Sequence, residues 1–362
     1  MLKIIHITAT HVNELGGIGV VLFELIRSQN KIEEVDSRLI SLKHPVDSEI
    51  FEYSVFVPPN RFREYIENNT PNIAVIHSYF EVEYAYISKI LYKHQIPYLI
   101  EPHGGFMYTT YKKSRIRKEI ADKTVFLKLL KNAKGYIFLN AEEQQQSIRH
   151  KKNEFIIPNG VRGEDVNYTI APKDEIVFYY IGRFDVNHKG LDYLLDSLEI
   201  LDRKGLSLKF KFYGKGSEDS ERYINMRVSQ FKNMKVSNCG PIYGNEKNIR
   251  LEQCGIMVLT SRYEGFPMTT LEAWKYGNPC IVTPGTNVTE LVLKNQLGWV
   301  CEQDKEKIAI TIENAVAAYA NNRVEYINRT KKYVKETFEW DTIGRISIEM
   351  LKLMIGNGKR NG

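Results

Sequence analysis

The sequence contains no run of about twenty apolar residues, so nothing in it is expected to span a membrane. Cysteine is scarce: Cys239, Cys254, Cys280 and Cys301 are the four, and none forms a Cys-x-x-Cys pair. Their long spacings, without paired histidines, argue against a disulfide scaffold and a structural zinc site. The thiols are expected to be small buried hydrophobes in a reducing cytosol. Charge of one sign is also lacking. A formal +6 over 362 residues, with no zinc-finger or RNA-binding signature, excludes an ordinary nucleic-acid binder. No Asp-x-Asp stands at a plausible strand end, and Asp202 and Asp219 fall in helical patterns. Residues 1–10, MLKIIHITAT, read as a short strand rather than a signal peptide, because the apolar run is brief and no small-residue cleavage site follows.

What is present is alternation. Short runs rich in Ile, Val and aromatics (Lys3–Thr8, 73–77, 98–100, 135–139, 155–157, 176–181, 208–213, 256–260 and 280–283) alternate with amphipathic stretches such as 191–201 and 309–320. That is the pattern of parallel sheets covered on both faces by helices. The length suits two domains. Pro158-Asn159-Gly160 is a turn signal, residues 162–175 are polar and irregular, and the pattern restarts at Ile176. The boundaries read as 1–165 and 170–338, with a final segment 339–362. In open parallel sheets ligands bind beyond the C-terminal strand ends, so those loops are where chemistry is sought.

Four loops qualify. Gly16-Gly17-Ile18-Gly19 precedes a helical pattern, where glycine lets backbone approach a phosphate or a hydroxyl. It is equally readable as a tight turn. It is not a complete dinucleotide fingerprint, since Leu22 stands at the third glycine position. Glu101-Pro102-His103-Gly104-Gly105 follows a short strand, and His103 there is either a ligand contact or a structural histidine. Gly182-Arg183-Phe184 and Lys189-Gly190 put two cations on one strand-end loop, facing a diphosphate or solvent. Residues 260–277, TSRYEGFPMTTLEAWKYG, carry Glu264 in a loop, Pro267 at a helix start and Glu272 within the helix. The two carboxylates do not share a helix face. One can bind a sugar and the other a nucleotide, with the helix N-terminus between them.

Glu264, seven residues, then Glu272, within EGFPMTTLEAWKYGNP, resembles the hallmark of retaining glycosyltransferase family 4, the group-one glycosyl transferases of the GT-B fold. The ordered set of Gly16-Gly17, His103-Gly104, 157–161, Gly182-Arg183…Lys189-Gly190, Gly214-Lys215-Gly216 and Phe338-Glu339-Trp340-Asp341 extends that resemblance over nearly the whole chain. It implies two Rossmann-like domains facing each other across a cleft: an acceptor-binding one, a donor-binding one, and a last helix crossing back to the first. It implies that Arg183 and Lys189 hold the donor diphosphate and that Glu272 accepts from the ribose hydroxyls. Glu264 would contact the donor sugar, aided by the backbone of the loop Gly265, Phe266, Pro267 and Met268. His103 would meet the sugar near the reacting centre, Gly17 would let its loop close over the phosphates, and Ile242 would lie near the base. The stretch 184–188 departs in detail from the family but leaves Lys189 in place.

The resemblance further implies retention of the anomeric configuration without a metal or any cofactor. The partners expected are a nucleotide-sugar donor, a UDP-sugar first and GDP-mannose second, and a saccharide or lipid-linked acceptor. No nucleic acid is expected. Residues 111–134 hold nine Lys or Arg against Glu119 and Asp122, interleaved with Ile116, Ile120, Val125, Phe126, Leu127, Leu129 and Leu130. Such a stretch reads either as a solvated face or as an amphipathic helix on an anionic inner leaflet. The site expected is therefore cytoplasmic, peripheral to the membrane, in cell-surface polysaccharide synthesis. The rival readings are a GT-B nucleotide-sugar epimerase and a non-catalytic sugar-nucleotide-binding subunit.

Overall fold

The computed structural model describes residues 1–12, 17–46, 51–112, 114–149, 152–163, 176–253 and 255–358. Two units are found, Met1–Gly163 with Phe338–Gly362, and Glu164–Thr337. Unit 1 carries strands β1 (Leu2–Thr8), β2 (Val35–Ser41), β3 (Ser54–Phe56), β4 (Ile73–His77), β5 (Tyr98–Glu101), β6 (Gly135–Phe138) and β7 (Asn153–Ile156). Every pairing is parallel, in the order β3-β2-β1-β4-β5-β6-β7. Unit 2 carries β8 (Val177–Ile181), β9 (Lys209–Tyr213), β10 (Lys235–Asn238), β11 (Ile256–Leu259), β12 (Cys280–Val282) and β13 (Gly298–Val300). These too are parallel, in the order β10-β9-β8-β11-β12-β13. Both units are Rossmann-like.

The central strands form where the apolar runs stand, because a strand covered on both faces needs apolar side chains on both. All five residues of β4 are buried, as are all four of β11. Four strands escape the apolar-run reading: the interior strand β2, whose run is broken by Asp36, Ser37 and Arg38, and three edge strands. β3, β10 and β13 are only three or four residues long and no more than half-buried, so edge position relieves them of that requirement. In each sheet the strand order reverses once, between β1 and β4 and between β8 and β11. The crevice for a ligand opens at such a reversal, beyond the C-terminal ends.

The terminal helix Trp340–Gly358 belongs to unit 1. Val161 donates its N–H to the Phe338 carbonyl at 2.7 Å, and Trp340 donates to the Val161 carbonyl at 3.1 Å. A Cβ on Gly160 would stand 2.7 Å from the Trp340 ring, so the turn at Pro158-Asn159-Gly160 is shaped to receive that indole.

Two expectations need correction. The basic stretch 111–134 is not one helix but part of three: Tyr108–Lys112, Arg115–Lys123 and Leu127–Asn132. Phe126 and Leu129 turn into the core, whereas Ile116, Ile120, Val125 and Leu127 stay exposed. Cys280 and Cys301 are buried as expected, but Cys239 is exposed. Cys254 lies outside the described residues, as do Lys113 and the irregular residues 164–175. Among the described residues, no helix is long and apolar enough to cross a membrane.

Trp340 is 5% exposed and ties the terminal helix to unit 1. Trp340→Ala should lower stability by about 3–5 kcal/mol, the cost of truncating a buried indole. Urea unfolding followed by circular dichroism measures this, and a loss below about 1 kcal/mol would show that the indole is not a structural tie.

Candidate active site

In unit 2 the loops after β8 and β11 leave the sheet on either side of its strand reversal and are stitched together. Thr260 donates its hydroxyl to the Gly190 carbonyl at 3.0 Å, and Arg262 donates its N–H to the His188 carbonyl at 2.9 Å. Gly190 has φ +63°, and a Cβ there would collide with the Thr260 carbonyl oxygen. Only glycine accepts both conditions. The stitch puts Lys189 Nζ 2.5 Å from Glu264 Oε1, which also accepts from the Ser261 hydroxyl at 2.6 Å. Asn287 Nδ2 donates to the Glu264 main-chain carbonyl at 2.6 Å. Both members of the ion pair are largely shielded, with side chains 17% and 12% exposed.

Arg183 is exposed and is held by the stretch that departs from the family pattern. Its guanidinium lies 3.3 Å from His188 Nδ1 and 3.5 Å from Asp185. His188 Nε2 donates to the Tyr263 carbonyl at 2.8 Å, and its ring stacks on Tyr263 at 4.0 Å. Burial, then the Lys189 charge, lowers the His188 pKa, leaving Nδ1 as the acceptor for Arg183. Arg183 also lines an open groove of about 520 Å³ with Lys215, Gly216 and Ser217.

Glu272 lies in the helix Met268–Lys275 and pairs with Lys247 at 2.6 Å rather than with the other predicted residues. Pro267 is the capping residue, with φ −73° and ψ 113°, one position ahead of the first helical position predicted for it. Phe266 and Ile242 are buried, and Gly265 and Met268 are half-buried. Gly17 opens the helix Gly17–Asn30, in unit 1. Gly16 lies outside the described residues.

His103 is also in unit 1, at the end of β5, with φ +47°. A non-glycine residue in that region costs of order 1–3 kcal/mol and persists only where its surroundings hold it. Here Gly104 donates its N–H to Glu143 Oε1 at 2.5 Å, and Glu143 Oε2 accepts from Leu139 N–H at 2.7 Å. Behind His103 lies a line of buried polar groups. His103 Nε2 is 3.0 Å from His77 Nδ1, and His77 Nε2 is 2.8 Å from His6 Nδ1. The Glu101 carboxylate flanks both, 3.4 Å from His77 and 3.6 Å from His103. As a set, His77, Glu101 and His103 offer ligand-type atoms within 4.8 Å, close enough to take a divalent cation.

The sequence reading overlooked Lys247, His188, His6, His77, Glu101 and Glu143. For two of them a signal stood in plain view. His6 and His77 are the polar interruptions of the runs KIIHIT and IAVIH, which a fully buried strand tolerates only when they are hydrogen-bonded.

Residues 175–318 match the family model described as Glycosyl transferases group 1. An uncharacterized glycosyltransferase of Methanocaldococcus jannaschii is 27% identical over 184 residues, which is 50% of this chain and 45% of the relative. The matches span less than half the length of the first curated relatives. Among solved structures, sucrose-phosphate synthase from Thermosynechococcus elongatus aligns with a TM-score of 0.75 at 16% identity, over 99% of this chain and 100% of that one. An Anabaena protein in complex with UDP-glucose aligns with a TM-score of 0.72 at 14% identity, over 97% and 100%. At these identities the likeness shows the fold, GT-B.

The polar line also sets a pH dependence. Burial, then the Glu143 charge, raises Glu101 to about 8, while burial lowers His6 and His103 to about 4 and His77 well below its ordinary value. A carboxyl with a raised folded pKa keeps a proton that the unfolded chain has already lost. Its stabilisation is complete below the unfolded value and is lost as pH climbs through about 8. The histidines act oppositely: the unfolded chain charges first, so they destabilise the fold as pH falls below 6.5. Of these four groups, Glu101 alone acts between pH 6.5 and about 8. Unfolding free energy should therefore fall with rising pH across that window, by at most about 1.4 kcal/mol per pH unit. Glu101→Gln should flatten the slope in urea titrations, and an unchanged slope would remove Glu101 as its source.

Proposed function

Because residues 175–318 match the family model described as Glycosyl transferases group 1, we propose that the chain is a retaining, metal-independent glycosyltransferase. It moves a hexose or N-acetylhexosamine from a nucleotide-diphosphate sugar, a UDP-sugar before GDP-mannose, to a lipid-linked or growing polysaccharide in cell-surface polysaccharide synthesis. The observation that carries this reading is the stitching of the β8 and β11 loops at the strand reversal, which brings Lys189 to Glu264 with Arg183 on the same loop.

Departure of a nucleoside diphosphate leaves extra negative charge on the phosphates. Arg183 and Lys189 stabilise it where a metal otherwise would, at about 4 kcal/mol per contact in a partly shielded site. Lys189 Nζ has three donors, so it keeps Glu264 in place while turning another toward a phosphate oxygen. Glu264 takes a sugar hydroxyl on its free oxygen, with the loop Gly265 to Met268 beside it. Glu272, steadied by Lys247, takes the ribose hydroxyls, and Ile242 packs near the base. From unit 1, His103 takes a hydroxyl of the sugar substrate and Gly17 approaches the phosphates. No side chain is assigned as a covalent nucleophile. A donor phosphate oxygen removes the acceptor proton on the face the leaving group departs from, and the chain supplies orientation and charge.

The acceptor side rests on the helix Arg115–Lys123. Ile116 is 75% and Ile120 59% exposed, with Arg115, Arg117, Lys118 and Lys123 on the same helix. The helix is tied down by Asp122, which accepts from the Tyr111 hydroxyl at 2.6 Å and pairs with Arg149. That leaves the isoleucines for an anionic lipid surface carrying the acceptor, on the cytoplasmic face.

Arg183→Ala should lower turnover roughly 10²–10³-fold with UDP-sugars while keeping the melting temperature. Near-normal turnover would withdraw the diphosphate assignment, and epimer formation from the donor alone would favour an epimerase. Separately, the full chain should float with anionic vesicles at low salt, and the double variant Ile116→Asp, Ile120→Asp should not. Absence of flotation by the unmodified chain would end the membrane reading.

A further inference from the structure

The line of polar groups behind His103 has a direction, set by its hydrogen bonds. At its far end Ser347, in the terminal helix, donates its hydroxyl proton to the Gly344 carbonyl at 2.7 Å. Its oxygen is therefore an acceptor, and Gln29 Nε2, 3.0 Å away, is the donor. This fixes the orientation of the Gln29 amide, which geometry alone leaves open. Gln29 Oε1 then faces inward, accepting from the Ser37 hydroxyl at 2.6 Å and from His6 Nε2 at 3.0 Å. With its proton on Nε2, His6 has only a lone pair on Nδ1. His77 must donate to it from Nε2, which leaves His77 Nδ1 as an acceptor. His103 Nε2 is the atom facing that acceptor at 3.0 Å, so it carries the proton.

We propose that Gln29, His6 and His77 are positioning residues that hold His103 as one neutral tautomer, proton on Nε2, with the Nδ1 lone pair presented to a hydroxyl of the sugar substrate. The role in catalysis rests on the reading of His103 given above; the tautomer does not. Nδ1 has no partner among the described residues. It accepts a proton and cannot donate one, so it selects a hydroxyl or amide N–H and repels a phosphate or carboxylate oxygen. Burial of His6 and His77, and the largely shielded position of His103, favour the neutral form throughout the line. The chemistry offered to the substrate is thus set from the terminal helix, through the three side chains Gln29, His6 and His77 on three elements. A cation on His77, Glu101 and His103 would require the opposite arrangement at His103, with a lone pair on Nε2 and the proton on Nδ1.

The test is long-range ¹H–¹⁵N spectroscopy of the full chain carrying ¹⁵N-labelled histidine at pH 7, with His103 assigned by loss of its signals in His103→Gln. The expected spectrum shows a pyrrole-type Nε2 and a pyridine-type Nδ1 for His103, and the same for His77. A proton on Nδ1 of His103, or an averaged pair of shifts, overturns the proposal. Gln29→Met keeps the volume and removes the acceptor that sets the direction. It should turn the His103 signals into a tautomer mixture and lower kcat about tenfold, with a smaller change in KM for the donor, at unchanged far-ultraviolet dichroism. If the folded variant keeps a single Nε2–H tautomer, Gln29 does not set the direction and the proposal fails. If Gln29→Met does not fold, the spectrum of the unmodified chain decides alone. Because the spectra need no substrate, a wrong tautomer defeats this inference, whereas absent sugar transfer with the right tautomer defeats only the proposed function.

Discussion

The candidate donor site depends on one close approach. The Thr260 carbonyl oxygen occupies the space where a side chain on residue 190 would begin, and Gly190 is left-handed there. A helix, Leu191–Arg203, starts immediately after it, so any shift of Gly190 would carry that helix along. Because the helix packs through buried Leu191, Leu194, Leu195 and Leu198, the position is held from below. Lys189 inherits it, and so does its distance to Glu264. The site is rigid because Lys189 adjoins a glycine that the Thr260 carbonyl blocks on one side and a packed helix holds on the other.

Unit 1 solves a different problem. Its strand reversal is lined not by charge but by buried histidines, and charging any of them would require taking an ion out of water. Hydrogen bonds instead pass from residue to residue with every proton used once. Such a network is costly if half-satisfied and rigid if complete. Glu143 completes the frame by bonding the main chain on both sides of it, at Gly104 and Leu139. One unit thus carries exposed and paired cations at its strand reversal, and the other a line of neutral imidazoles.

Strand–helix alternation was legible because burial on both faces demands apolar runs, and nine of the strands announce themselves in this way. β2 does not, because Asp36, Ser37 and Arg38 interrupt it, and neither do β3, β10 and β13, since an edge strand is defined by its neighbour rather than by its own side chains. Arg183, Lys189, Glu264 and Glu272 were legible as residues on strand-end loops. Their partners were not: His188 was noticed only as a departure from pattern, and Lys247 drew no notice at all. The basic stretch was legible as charge and apolar content, but not as three helices with only some of its apolar residues exposed.

The sequence by itself determined which segments are strands covered on both faces, where glycine interrupts them, and which charged side chains stand at their ends. These are local properties, carried by residue type and periodicity. Tertiary structure alone decided that Lys189 meets Glu264, 75 residues away, that Lys247 rather than a neighbour steadies Glu272, and that four side chains between Gln29 and His103 share one direction of hydrogen bonding. Strand order in a parallel sheet is not sequence order. Which loops become neighbours at a reversal is therefore fixed only when the sheet is assembled.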